Sequence, residues 1–153
     1  MIECDRSEGI NSIILVRANA LKSPIQAVLE KNLINDDSPC IDLFDIDLLQ
    51  ARLRNVKENL PGWMHAVAIK SCPISGVLLE AKELGFGAEC ASMGEVKHAL
   101  SLGFAPELIV YDSPVKTRTN IELALKMGIY MNLDNVSEIE KVDELLKTTC
   151  KGQ

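Results

Sequence analysis

The chain has 153 residues, 47% hydrophobic and 25% charged, which is enough for one domain with a moderate core. Its 16 basic and 22 acidic residues give a net charge of −6, and only 4% is aromatic. Neither a basic stripe for a phosphate backbone nor a base-stacking platform is expected, so nucleic acid is not a partner.

The five cysteines, Cys4, Cys40, Cys72, Cys90 and Cys150, are scattered and include no C-x-x-C pair. That pattern argues against a disulfide framework or a structural zinc site, and for reduced thiols in a cytoplasmic compartment. No apolar run reaches membrane-spanning length, and the acidic start MIECDRSEG lacks the plan of a secretory signal.

Residues 1–36 read as a loosely attached amino-terminal extension. Within it, Ser23 to Leu33 is predicted as a short helix with Pro24 in its first turn, and Asn35 to Pro39 as a loop. From residue 37 to 153 the pattern alternates. Short β-rich runs fall at Cys40–Phe44, His65–Ile69, Gly87–Ala91, Leu108–Tyr111 and Ile129–Leu133.

Helical patterns lie between them. Ile46, Leu49, Leu53, Val56 and Leu60 recur at steps of three and four, and so do Ile74, Val77, Leu78, Ala81 and Leu84. Ser92-x-x-Glu95 and Thr119-x-x-Glu122 read as capping boxes, and Pro73 and Pro114 stand near helix starts. Gly85, Gly103 and Gly128, in ELGF, SLGF and KMGI, read as glycines that end a helix and lead into a strand.

Strand–helix alternation with short links implies an α/β fold with parallel strands. An open doubly wound sheet and part of a (β/α)8 barrel both fit. No G-x-G-x-x-G and no G-x-x-x-x-G-K-[ST] occurs, which removes the main support for dinucleotide and P-loop readings. The short units suit a barrel. A complete one needs about 250 residues, so residues 37–153 hold about half of a TIM-like barrel.

In such a barrel the chemistry sits at the carboxyl ends of the strands. HAVAIKSCP (His65–Pro73) begins as an apolar strand and ends in a lysine, Lys70. A strand-end lysine often only snorkels. Held against apolar walls, however, its charged form is disfavoured, and the neutral amine can attack an aldehyde. Tyr111, Asp112, Asn132 and Asp134 are the other polar strand-end residues.

Four stretches then resemble one family in order and at compatible spacing. AIKSCP resembles the A-V-K-A-N-P box of the fold-type III pyridoxal 5'-phosphate (PLP) dependent decarboxylases, the diaminopimelate, ornithine and arginine decarboxylases. GAECASMGE resembles their G-x-D-x-A-S-x-G-E. The segment from Glu107 to Val142 resembles their third-strand and following boxes, and PCIDLFDIDLLQARL their opening strand and helix.

The resemblance implies PLP as cofactor and an amino acid as substrate, in polyamine or lysine biosynthesis. It also implies a homodimer in the full-length form. Lys70 then becomes the Schiff-base lysine, and Glu89 and Glu95 become cofactor-binding residues. Glu89 stands where the family has aspartate, and Cys72 where it has asparagine, here read as a packing residue.

Alternatives stay open at each position. Glu89 can pair with Lys70, Glu95 can complete the Ser92 cap, and Lys116 can be a solvated loop lysine rather than the lysine of the family's K-[ST] position after the third strand. His65 reads as a strand-start residue and His98 as a helix-surface one. The family's phosphate loop and its carboxy-terminal β-domain are expected beyond these residues. The chain is therefore expected to be inactive alone. A non-catalytic decarboxylase-like regulator and a racemase-like or PLP-carrier barrel are the competing readings.

Overall fold

The computed structural model describes residues 21–149. Cys4, Cys150 and the first part of the expected extension lie outside the described residues. The chain divides into two compact units, Met1–Asp45 and Ile46–Gln153.

In the first unit residues 21–30 are helical (α1), so the helix reaches further toward the amino terminus than Ser23. The turn that follows it includes Asn32, whose φ is +50°. The Asn35 carboxamide then closes a turn by accepting from the backbone N–H groups of Asp37 and Ser38. Cys40–Phe44, expected as a strand, is not one. Alternation supplies a face, but a strand also needs a neighbour to receive its backbone hydrogen bonds.

The second unit repeats one plan. Its helices are α2 (Ile46–Asn59), α3 (Ser75–Glu83), α4 (Met93–Ser101), α5 (Arg118–Met127) and α6 (Val136–Thr149). Its strands are β1 (Ala66–Ala68), β2 (Gly87–Cys90), β3 (Ile109–Tyr111) and β4 (Tyr130–Met131), all parallel in the order β1-β2-β3-β4. Four of the five expected β runs therefore form strands, each shorter than its sequence run.

Period-two alternation sends Ala88 and Cys90 of β2 into the core with Leu78 of α3 and Val96 and Ala99 of α4. Ile69, Phe104, Ile109, Tyr111, Ala124 and Ile129 complete that cluster. Gly87 admits no side chain, since a Cβ there would lie 2.1 Å from the carbonyl oxygen of Leu108.

Helix ends explain why the units stay short. Gly128 ends α5 with φ of +72°, a left-handed conformation that glycine adopts without strain. At α3 and α4 a lysine from the preceding helix helps. Lys57 of α2 donates to the Leu84 carbonyl at 2.7 Å, and Lys82 of α3 donates to the Leu102 carbonyl at 2.9 Å. The positive charge meets the negative end of each helix dipole.

The capping box at Ser92 is present. Its hydroxyl accepts from the Glu95 N–H at 3.2 Å, and Glu95 reaches back to the Ala91 N–H at 2.7 Å. The box expected at Thr119 is not. Thr117 is the cap, accepting from the Asn120 N–H at 3.2 Å, because α5 begins at Arg118. Glu122 pairs instead with Lys126 one turn on, at 2.7 Å.

Candidate active site

The carboxyl ends of the four strands form a rim. Lys70 lies just past β1 in a single turn of 3₁₀ helix, Ile69–Ser71. Ile69 is fully buried and anchors the turn, so Lys70 points away from the core. Glu89 is the third residue of β2, in register with Ala68 and Val110. By alternation it faces away from Ala88 and Cys90 and the helices they pack on.

The two side chains meet. Lys70 Nζ lies 3.6 Å from Glu89 Oε1, with the lysine side chain 59% exposed and the glutamate 20%. The desolvated lysine expected from the apolar strand is not what stands here, because the turn lifts Lys70 into solvent. The separation exceeds hydrogen-bond length. Glu89 Oε1 is buried without a hydrogen-bond partner. An exposed amine thus stands beside a buried acceptor that still lacks a donor.

Glu95, the third residue singled out, is held elsewhere. Its carboxylate accepts from the Ala91 N–H, one residue beyond β2, and its own N–H is taken by Ser92. Its charge still reaches the core side of β2. The Cys90 thiol is pushed up to about 12, first by burial and then by the charges of Glu95 and Glu89. Cys72 is half-buried and lines an apolar depression of about 270 Å³ with Leu49, Leu53, Val67, Val77 and Ala81. The depression contains neither Lys70 nor Glu89.

The rim continues along β3 and β4. The Asp112 N–H donates to the Cys90 carbonyl at 2.9 Å and the Asn132 N–H to the Tyr111 carbonyl at 3.1 Å. Lys116, open in the sequence between a solvated loop residue and the family's K-[ST] position, is not solvated. It is 2% exposed and pairs at 2.9 Å with Glu138, also 2% exposed.

Sequence reasoning missed Glu138. The signal was present in Asn135-x-x-Glu138, a second capping box, in which the Asn135 carboxamide oxygen accepts from the Glu138 N–H at 3.1 Å. His65 and His98 serve backbone carbonyls, those of Leu60 and Pro73, each at 3.0 Å. Among the described residues no group of His, Cys, Asp and Glu is placed to hold a metal, and no helix is long and apolar enough to cross a membrane.

The family model described as "Pyridoxal-dependent decarboxylase, pyridoxal binding domain" matches residues 46–150. Ornithine decarboxylase of Schizosaccharomyces pombe is 34% identical over 109 residues, covering 71% of this chain and 25% of that protein. Antizyme inhibitor 2 of Xenopus laevis is 37% identical over 97 residues, covering 63% of this chain and 21% of that protein.

The crystal structure of diaminopimelate decarboxylase from Helicobacter pylori complexed with L-lysine superposes with a TM-score of 0.65 at 28% identity. It covers 69% of this chain and 28% of that one. The chain thus spans about a quarter of the length of the curated relatives it matches. Its four parallel strands and their helices are about half of a TIM-like barrel. The chain belongs to the pyridoxal-binding domain family of the pyridoxal-dependent decarboxylases.

Proposed function

We propose that this chain is the amino-terminal part of a PLP-dependent decarboxylase of diaminopimelate or a basic amino acid, with Lys70 as the residue that holds the cofactor. The observation that carries the reading is the Lys70–Glu89 arrangement. An exposed primary amine at a strand end lies 3.6 Å from a carboxylate oxygen that has no hydrogen-bond donor. The amine suits an aldehyde, and the orphaned acceptor suits a ligand that brings an N–H or O–H.

When bound, the cofactor supplies an electron sink for the carbanion left as carbon dioxide departs. The chain's own contribution is placement. Lys70 supplies the amine, Glu89 a carboxyl group beside it, and Glu95 accepts from the Ala91 N–H in the turn between β2 and α4. A homodimer of the full-length protein belongs to the same reading.

By itself the chain is expected to release no carbon dioxide. Among the described residues its sheet has four strands where a closed barrel has eight, and orientation of the reacting groups supplies much of an enzyme's rate. Borohydride reduction of the full-length protein with pyridoxal phosphate, followed by peptide mapping, tests the assignment. A pyridoxyl label is expected on Lys70 and absent from Lys70→Ala. A label on another lysine would overturn it.

A second reading is a decarboxylase-like regulator without chemistry. It is favoured by the 37% identical relative named antizyme inhibitor 2. It predicts no site-specific label on Lys70 of the full-length protein.

A further inference from the structure

Two loops leave the carboxyl ends of the neighbouring strands β3 and β4, and one buried carboxylate holds both. Glu138, in the first turn of α6, accepts from the Lys116 N–H at 3.1 Å and from Lys116 Nζ at 2.9 Å, both in the β3–α5 loop. It also accepts from the Asp134 N–H at 2.9 Å, in the β4–α6 loop.

Lys116 Nζ donates in turn to the Ser113 carbonyl and lies 5.7 Å from the centre of the Tyr111 ring. A pair this deeply buried adds less net stability than its contacts suggest, because desolvation offsets the attraction. What it fixes is geometry. Three donors from two loops converge on one carboxylate, and moving either loop strands a buried polar group.

We propose that Lys116 and Glu138 form a positioning clamp that makes the β3–α5 and β4–α6 loops one rigid stretch of the active-site rim. The positioning claim rests on the cofactor reading above, whereas the coupling of the two loops does not. The Asp112 and Asn132 hydrogen bonds join the clamped loops to the strand that carries Glu89 without a break. Neither clamp residue is catalytic, since both are sealed beneath the rim.

Hydrogen exchange on the full-length protein tests the coupling, with Glu138→Gln compared to wild type. Glutamine keeps the shape and removes the charge. Exchange across residues 112–118 and 132–139 is expected to rise together, by about tenfold or more, with Gly87–Cys90 unchanged. The same variant is expected to lose bound pyridoxal phosphate faster on dialysis, read by absorbance, while the borohydride label stays on Lys70.

A rise in one loop only, or in neither, overturns the clamp, and so does a rise that spreads into β2. Loosened loops with unchanged cofactor retention overturn the positioning role. A wild-type protein without label on Lys70 sinks the cofactor reading and leaves the loop coupling to stand on exchange alone. Should Glu138→Gln fail to fold, Lys116→Arg carries the same readings, because a guanidinium keeps the charge in a different shape.

Discussion

Glu138 grips Lys116 at two points, the backbone N–H with Oε1 and the ammonium with Oε2, at 3.1 and 2.9 Å. Burial alone would push the Glu138 carboxyl up. The hydrogen bonds from the Asp134 N–H and from Lys116 outweigh it and hold the group below its ordinary 4.5. A depressed carboxyl stabilises the fold above its unfolded value, and that stabilisation is lost as pH falls through the lower folded value. Thermal stability is therefore expected to fall on acidification below 4.5. Glu138→Gln should flatten the slope in that window. Equal acid slopes in both proteins, by thermal denaturation against pH, would refute the assignment.

Breaking the pair from one side is expected to cost more than removing it. Lys116→Met leaves the Glu138 charge buried without its cation, at a cost of about 3–5 kcal/mol. The double variant Lys116→Met with Glu138→Leu should lose less than the two single losses added together. Denaturant titration of the four proteins measures the coupling, and simple additivity would mean that the pair does not act as one unit.

At α4 the two members of the cap separate. Ser92→Ala is expected to cost about 1 kcal/mol, since the Glu95 N–H loses its acceptor. Glu95→Gln should be nearly silent in stability, because a carboxamide oxygen still accepts from the Ala91 N–H. A marked loss of cofactor retention in Glu95→Gln with an intact melting curve would promote Glu95 from cap to site residue.

The described thiols should separate sharply in reactivity. Cys90 is fully buried and its thiol is pushed up to about 12, whereas Cys40 is exposed. Only the thiolate attacks an alkylating reagent. Timed iodoacetamide labelling with mass spectrometry is expected to modify Cys40 in the native protein and Cys90 only after unfolding. Comparable native rates would show that the β2 core is open.

Strand positions were legible because period two is short and survives in three or four residues, as GAEC shows. Helix starts were less so. A serine at Ser92 and a threonine at Thr119 look alike in sequence, yet α5 begins at Arg118 and takes Thr117. Cys40–Phe44 has a strand's pattern and no ladder, since pairing depends on a neighbour that the run itself does not encode.

Lys70 was singled out through its box, but its exposure, which a 3₁₀ turn decides, was not legible. Lys116 was misjudged as equally at home in solvent. Its partner lies 22 residues away, a distance that local pattern does not bridge.

Lys57 and Lys82 have one property in common: each stands earlier in the chain than the helix end it closes, by 27 and 20 residues. During synthesis from the amino terminus, the cation exists before its carbonyl has been made. When the last turn of α3 or α4 is made, the lysine that will close it is already part of the chain. For these two helices the closing group therefore always precedes in the chain the end that it closes.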